Sequence, residues 1–179
     1  MENVTEQKIS TQPEPWLRGT HRELDAIMRQ FVHSIEQVQE DAERWCAGLS
    51  DAEMNAHPMN LPPVAFHLRH MVRSLDRLLS YAEGTQLDAT QRTALKSEMD
   101  AGASAADVFQ EVRRGLAESK RRARAFTPQQ YNDERGIGRK MLPTSIGSIL
   151  VHCAEHTQRH LGQAITTAKV LTALRRTMQ

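Results

Sequence analysis

The sequence of 179 residues has no long apolar run, almost no net charge and only two cysteines. No window approaches the roughly 18 consecutive apolar residues that a membrane-spanning helix needs, so no membrane span is expected. The polar residues 1–15 lack the apolar run of a secretory signal, and we therefore expect a cytoplasmic protein. A net charge of +1 gives no global field that would attract nucleic acid or an anionic membrane, so neither is expected as a partner.

The cysteines exclude two further classes of protein. Cys46 and Cys153 have no C-x-x-C spacing, which argues against a disulfide framework and against a thiolate zinc site. We expect Cys153 to be a small buried hydrophobe. Because 39% of the residues are hydrophobic and 25% are charged, the composition is that of an ordinary globular domain. The predicted organisation is a flexible lead-in over residues 1–15 and one domain over residues 16–179.

Apolar residues recur at three- and four-residue steps in four long segments, which predicts an all-α four-helix bundle. The predicted helices run from Trp16 to about Gly48, from Pro63 to Glu83, from Ala105 to Ala125, and from just after Pro143 to about Leu174. The connection from Thr85 to Ser104 is long enough for a crossover between helices two and three, and it includes a short helical stretch. Residues 51–63 and 131–140 are predicted to be loops, and no segment alternates for long enough to indicate a sheet.

Five of the eight histidines lie in two short stretches. His156 and His160 are four residues apart, so they lie on one face of the predicted fourth helix, about one turn from each other. His160 falls within the apolar stripe of that helix and His156 at its edge. Because a buried imidazole without a partner is costly, the pair is predicted to bind one metal ion.

A third ligand is expected from the second helix. His67 and His70 lie three residues apart near the edge of its apolar face, and helical phase places His67 closer to the stripe. If the start of this helix lies beside the middle of the fourth, either histidine completes a three-histidine site. An i,i+4 histidine pair alone is a weak signal, since many such pairs face solvent. The second histidine-rich helix is what favours a metal site.

The remaining basic and histidine residues are given ordinary roles. His152 is predicted to be a surface or pocket-rim residue, while His21, His33 and His57 are interpreted as ordinary histidines. Residues 120–124 form a basic run that lacks interleaved aromatics, so a solvated helix face is expected there rather than a nucleic-acid site.

Two segments, HLRHMVRSLDRLL (residues 67–79) and EHTQRHLGQ (residues 155–163), resemble the DinB-like, damage-inducible superfamily, and the resemblance spans most of the chain. It implies a four-helix bundle with a long crossover between helices two and three and a divalent metal held by three histidines. The His-x-x-x-His-x-Gly-Gln ending maps two ligands onto His156 and His160. In helix two the resemblance selects the histidine that is followed by an acidic residue, which is His70 with Asp76. His67 would then support a ligand or line the pocket.

The resemblance also implies a class of activity. The expected protein is a metal-dependent hydrolase or thiol transferase that uses zinc or nickel, with iron or manganese as alternatives. The ion would lower the pKa of a bound water or bind a substrate thiol as thiolate. His67, His152 and Glu155 are candidate bases, and Gln163 is a candidate pocket residue.

The expected partners are a small-molecule substrate and a second copy of the chain, paired through helices. The alternative is a non-catalytic metal-binding or stress-response protein in which the bundle is a scaffold.

Overall fold

The computed structural model describes residues 12–177, and over that range it is mostly helical. The helices are α1 (Ala26–Cys46), α2 (Asp51–Met54), α3 (Val64–Ala82), α4 (Ala89–Lys96), α5 (Ala105–Ala123) and α6 (Ile146–Thr177). Two short strands, β1 (Glu134–Ile137) and β2 (Leu142–Ser145), and three 3-10 turns complete the fold. The prediction of an all-α bundle is confirmed. Most of the predicted lead-in, residues 1–11, lies outside the described residues.

The four long helices pack in a ring in which α1 contacts α6, α6 contacts α3, α3 contacts α5 and α5 contacts α1. Arg69 on α3 pairs with Glu111 on α5, and Asp76 pairs with Arg122, so these two helices run parallel. Parallel neighbours cannot be joined by a tight turn, which is why a connection of some twenty residues, including α4, leads from α3 to α5. The predicted crossover between these helices is therefore present. Within the described residues no helix is long and apolar enough to cross a membrane.

The first helix begins later than the apolar periodicity predicts. Residues Pro15–Leu17 form a 3-10 turn, and the chain then takes left-handed backbone conformations at Gly19 and His21, with φ of +67° and +56°. An α-helix cannot continue through such conformations. Helix α1 starts only after Asp25, whose carboxylate accepts hydrogen bonds from the backbone N–H groups of Ile27 and Met28.

Asp25 also accepts a hydrogen bond of 2.6 Å from the hydroxyl of Tyr131, which ties the start of α1 to the segment before β1. Burial works to raise the pKa of Asp25, but these hydrogen bonds outweigh it, and the pKa lies below the ordinary value. A carboxyl whose pKa is lowered by folding stabilises the protein above its unfolded-state pKa, and this contribution is lost as the pH falls through the folded-state value.

We expect Asp25→Ala to lower the free energy of unfolding at pH 7 by about 1–2 kcal/mol, because the helix cap and the Tyr131 bond are both lost. Asp25→Asn should cost less, since asparagine also caps helices. Urea unfolding between pH 7 and pH 3 measures the effect. The difference between the wild type and Asp25→Ala should narrow towards the acid end, and a difference independent of pH would show that the charge of Asp25 contributes nothing.

Two of the predicted loops contain regular structure, so those predictions are wrong in detail. Residues 51–63 include α2 and a 3-10 turn, Pro58–Asn60. Residues 131–140 include β1, which pairs antiparallel with β2 from Glu134 opposite Ser145 to Ile137 opposite Leu142. Each strand has only four residues, too few for an alternating pattern to emerge from the sequence.

Helices α3 and α5 approach each other closely at Gly115. A Cβ atom added there would lie 2.6 Å from Cβ of Val72, well inside the distance at which two side chains can pack. We expect Gly115→Ala to destabilise the protein by about 1–3 kcal/mol, because the helices must separate to relieve the overlap. Denaturant unfolding measures the change.

Gly162 provides the matched control, since it also lies in a long helix but a Cβ atom added there would have no neighbour within 4 Å. Gly162→Ala should stabilise the protein by about 0.5–1 kcal/mol through helix propensity. Equal effects at the two positions would contradict the packing argument.

Candidate metal centre

The three histidines predicted as ligands converge between two helices. His70 lies on α3 near its N-terminal end, while His156 and His160 lie one turn apart in the middle of α6. Helices α3 and α6 run antiparallel, since His67 is next to His160 whereas His70 is next to His156. The start of α3 thus lies beside the middle of α6, which is the arrangement that a shared site requires.

The geometry of the cluster suits a metal ion. The ring centroids lie 4.4 Å apart for His70 and His160, 4.6 Å for His156 and His160, and 5.2 Å for His70 and His156. Nε2 of His70 is 3.1 Å from Nε2 of His156, and one nitrogen from each of the three rings lies within 4.8 Å of the others. Two nitrogens that share a transition-metal ion at ordinary bond lengths and angles lie about 3 Å apart. The cluster of His70, His156 and His160 can therefore hold a metal ion.

His156 and His160 are in the protonation state that a metal ion requires of its ligands. Burial, together with the neighbouring imidazoles, lowers the pKa of His156 and of His160 to about 4. Both rings are therefore neutral at pH 7, with lone pairs available as ligands. Their positions in the bundle exclude much of the water that would otherwise solvate a proton on either ring.

A buried carboxylate from the crossover orients His70. Nδ1 of His70 lies 2.7 Å from Oε2 of Glu98, and Arg77 donates to the other carboxylate oxygen at 2.5 Å. Glu98 is only 5% exposed. Burial works to raise its pKa, but hydrogen bonds from His70 and Arg77 outweigh this effect, and the pKa is lowered. Glu98 is therefore ionised, and it accepts a hydrogen bond from the Nδ1–H group of His70.

Ser74 lies beside the other nitrogen of His70. The Ser74 hydroxyl accepts a hydrogen bond from Arg77 and lies 3.2 Å from Nε2 of His70. Because Nδ1 of His70 faces Glu98, the nitrogen left for an ion is Nε2, which faces His156. A histidine whose Nδ1 proton is held by a carboxylate while Nε2 points to a metal position is a common arrangement at metal sites.

His67 lies against His160 instead of joining the cluster. Nδ1 of His67 is 3.2 Å from Nδ1 of His160, which leaves Nε2 of His160 as the nitrogen for an ion. His67 is 3% exposed, and burial, followed by the neighbouring His160 and His70, lowers its pKa to about 4. The helical phase thus pointed to His67, which is the more buried histidine. The family motif pointed to His70, which faces His156.

The acidic residue that the resemblance paired with His70 has a different partner. Asp76 points towards α4 and α5, where it accepts hydrogen bonds from Gln91 at 2.8 Å and from Arg122 at 2.5 Å. Arg122 also pairs with Glu83, so it is partly buried rather than facing water as predicted. Sequence reasoning missed Glu98 because it lies in a polar connection without periodicity, where no pattern marks one carboxylate over another.

The other predicted site residues lie around the cluster. His152 and Glu155 are exposed and 3.5 Å apart, and both line a surface pocket of about 420 Å³. Gln163 and His67 line a second pocket of about 440 Å³ on the other side. Cys153 is fully buried, and burial raises the pKa of its thiol to about 12, as expected for an unreactive core residue.

Comparison with known proteins identifies the relatives of this bundle. A sequence model described as the DinB superfamily matches residues 34–164, which is most of the chain. No curated protein sequence matches. A crystal structure of a conserved protein from Enterococcus faecalis has a similar fold, with a TM-score of 0.69 and 16% identity over 84% of this chain and 99% of that chain. At this level of identity the likeness shows the fold alone.

Proposed function

The chain belongs to the DinB superfamily, and from that premise we propose that it is a metal-dependent enzyme acting on a small-molecule substrate. The observation that carries the proposal is the convergence of His70, His156 and His160 on one point. We propose zinc or nickel as the ion, because neutral imidazoles suit both. When bound, the ion would supply Lewis acidity, which activates a water or a thiol at neutral pH.

The surroundings of the cluster favour a nucleophile that comes from solution. Cys153 is the one cysteine near the cluster among the described residues, and its raised pKa keeps it a thiol. Ser74 is held by Arg77 and His70. Because Nε2 of His70 binds the ion in our proposal, it is not available as a base for Ser74, and the attacking group is a water or a low-molecular-weight thiol from solution.

The pocket beside His67 is the proposed substrate site. It has a volume of about 440 Å³, within the range of small-molecule sites. Its wall combines apolar groups, from Leu61 and Pro62, with polar groups from Arg159 and Gln163. Such a wall can hold the body of a small substrate on one side and orient an anionic or amide group on the other. His67 lies between this pocket and His160, where its neutral ring can hold a substrate group by a hydrogen bond.

Turnover assays test the proposal. The full-length protein loaded with Zn²⁺ or Ni²⁺ is assayed against activated esters, and separately against low-molecular-weight thiols with an electrophilic acceptor. Metal-dependent turnover of one class, lost in His156→Ala and retained in His57→Ala, is the expected result. His57 is exposed and lies outside the cluster, which makes it a suitable control.

Two outcomes contradict the proposal. Stoichiometric metal without turnover of either class would indicate a non-catalytic metal-binding bundle instead. Turnover that persists in His156→Ala would place the chemistry elsewhere.

A further inference from the structure

A second group of side chains that can ligate a metal lies in the first half of α1 and the turn before it, and it includes His21 and His33, for which the sequence predicts ordinary roles. His33 and Glu36 are three residues apart on α1, so they share one helix face. His21 comes from the turn that precedes the helix. One ligand atom from each of these three residues lies within 4.8 Å of the others. We propose that His21, His33 and Glu36 form a second binding site for a divalent transition-metal ion.

The distances within this N-terminal cluster fit a shared ion. Nε2 of His21 is 2.8 Å from Oε1 of Glu36, close to the separation of about 3 Å expected for two ligands of one ion. The ring centroids of His21 and His33 lie 5.5 Å apart, similar to the 5.2 Å between His70 and His156. Two imidazoles and one carboxylate are a known ligand set for zinc and for iron(II).

The backbone holds His21 in place by an unusual conformation. Its φ of +56° is left-handed, a region that a residue with a Cβ enters at a cost of about 1–2 kcal/mol. That conformation directs the ring of His21 towards Glu36. Helix α1 and the preceding turn are thus joined at this point by polar side chains, and a bound ion would link the two segments more firmly.

The N-terminal cluster combines a buried ligand with a pocket that is open to solvent. His33 is 5% exposed, and its Nε2 lies 3.2 Å from the hydroxyl of Thr20. Thr20 and His33 also line a pocket of about 310 Å³, through which water can reach the ion and complete its coordination. The carboxylates of Glu36 and Glu23 lie 2.8 Å and 3.8 Å from the ring of His21, and that of Glu36 also offsets the positive charge of Arg29 near His33.

The proposal is tested in full-length protein carrying His156→Ala and His160→Ala, which removes the ligands on α6. Zn²⁺ is titrated in competition with a chromophoric chelator. We expect this protein to keep one equivalent of Zn²⁺. Adding His33→Ala or Glu36→Gln should weaken that binding at least about 100-fold, more than the loss of a supporting residue costs. Adding His57→Ala should leave it unchanged. The result therefore tests this site independently of the proposed enzyme centre.

A spectroscopic measurement locates the ion and guards against a variant that does not fold. Trp16 lines the same pocket as His33, whereas Trp45 packs under Lys169. In Trp45→Phe protein that keeps His156 and His160, Co²⁺ bound at the N-terminal cluster should quench the Trp16 fluorescence. Glu36→Gln should abolish this quenching. The proposal is overturned if the protein carrying His156→Ala and His160→Ala binds no Zn²⁺. It is also overturned if Glu36→Gln changes neither Zn²⁺ binding nor the quenching of Trp16 fluorescence by Co²⁺.

Discussion

Replacing His156 with alanine is expected to weaken Zn²⁺ binding at the bundle centre by at least about 100-fold. Even the loss of a group that merely supports a ligand costs about 10–100-fold, so the loss of a ligand should cost more. His156 contributes the Nε2 atom that lies 3.1 Å from Nε2 of His70, and its ring centroid lies 4.6 Å from that of His160. Competition with a chromophoric chelator measures the affinity, and elemental analysis measures the stoichiometry.

His152 provides the matched control on the same helix. It lies one turn before His156, its side chain is 46% exposed, and it is not part of the cluster. His152→Ala should therefore bind Zn²⁺ as the wild type does. Both variants are compared in a His33→Ala background, so that the N-terminal cluster does not contribute. Equal losses in the two variants, or none in either, would contradict the assignment of His156.

Removal of the Glu98 carboxylate is expected to have the second large effect, on both metal affinity and stability. In Glu98→Ala, His70 loses the acceptor for its Nδ1 proton, and Zn²⁺ affinity should fall by about 10–100-fold. The guanidinium of Arg77 is left partly buried without its carboxylate, and such a broken buried pair costs about 3–5 kcal/mol. Chelator competition and urea unfolding of the metal-free protein measure the two effects separately.

Two further variants distinguish the role of Glu98 from a general effect of losing a carboxylate. Glu98→Gln keeps a hydrogen-bond acceptor for His70, so its metal affinity should lie between those of the wild type and Glu98→Ala. Glu118 pairs with Arg121 on the exposed face of α5, and Glu118→Ala should leave both stability and metal affinity nearly unchanged. Unchanged metal affinity in Glu98→Ala would show that the crossover does not position the ligand.

The long helices were predictable because each buries one apolar face. Helix α3 is predicted at residues 63–83 and observed at Val64–Ala82, and α5 is predicted to begin at Ala105, where it does begin. The first helix is predicted too long, because Leu24 continues its apolar spacing although Gly19 and His21 interrupt the backbone. Spacing reports which residues face the core, but it does not report backbone conformation.

The ligand set illustrates what local pattern can and cannot determine. The i,i+4 spacing places His156 and His160 on one face, yet nothing within α3 alone decides between His67 and His70. The choice depends on how far α3 is shifted along α6, which is a property of tertiary packing. The role of Glu98 could not be predicted for the same reason, since its contact with His70 joins residues that are 28 positions apart and separated by an irregular segment.

The origin of Glu98 in the crossover has a consequence for how the proposed metal centre can be altered. The three imidazoles lie on helices whose core faces are constrained by packing, whereas the residue that orients His70 lies on a connection with few buried neighbours. A substitution there would change the hydrogen bond to His70 and the ion pair with Arg77, while the apolar faces of the four long helices keep their residues. In our proposal the connecting segment therefore tunes a ligand of the ion without supplying a ligand itself.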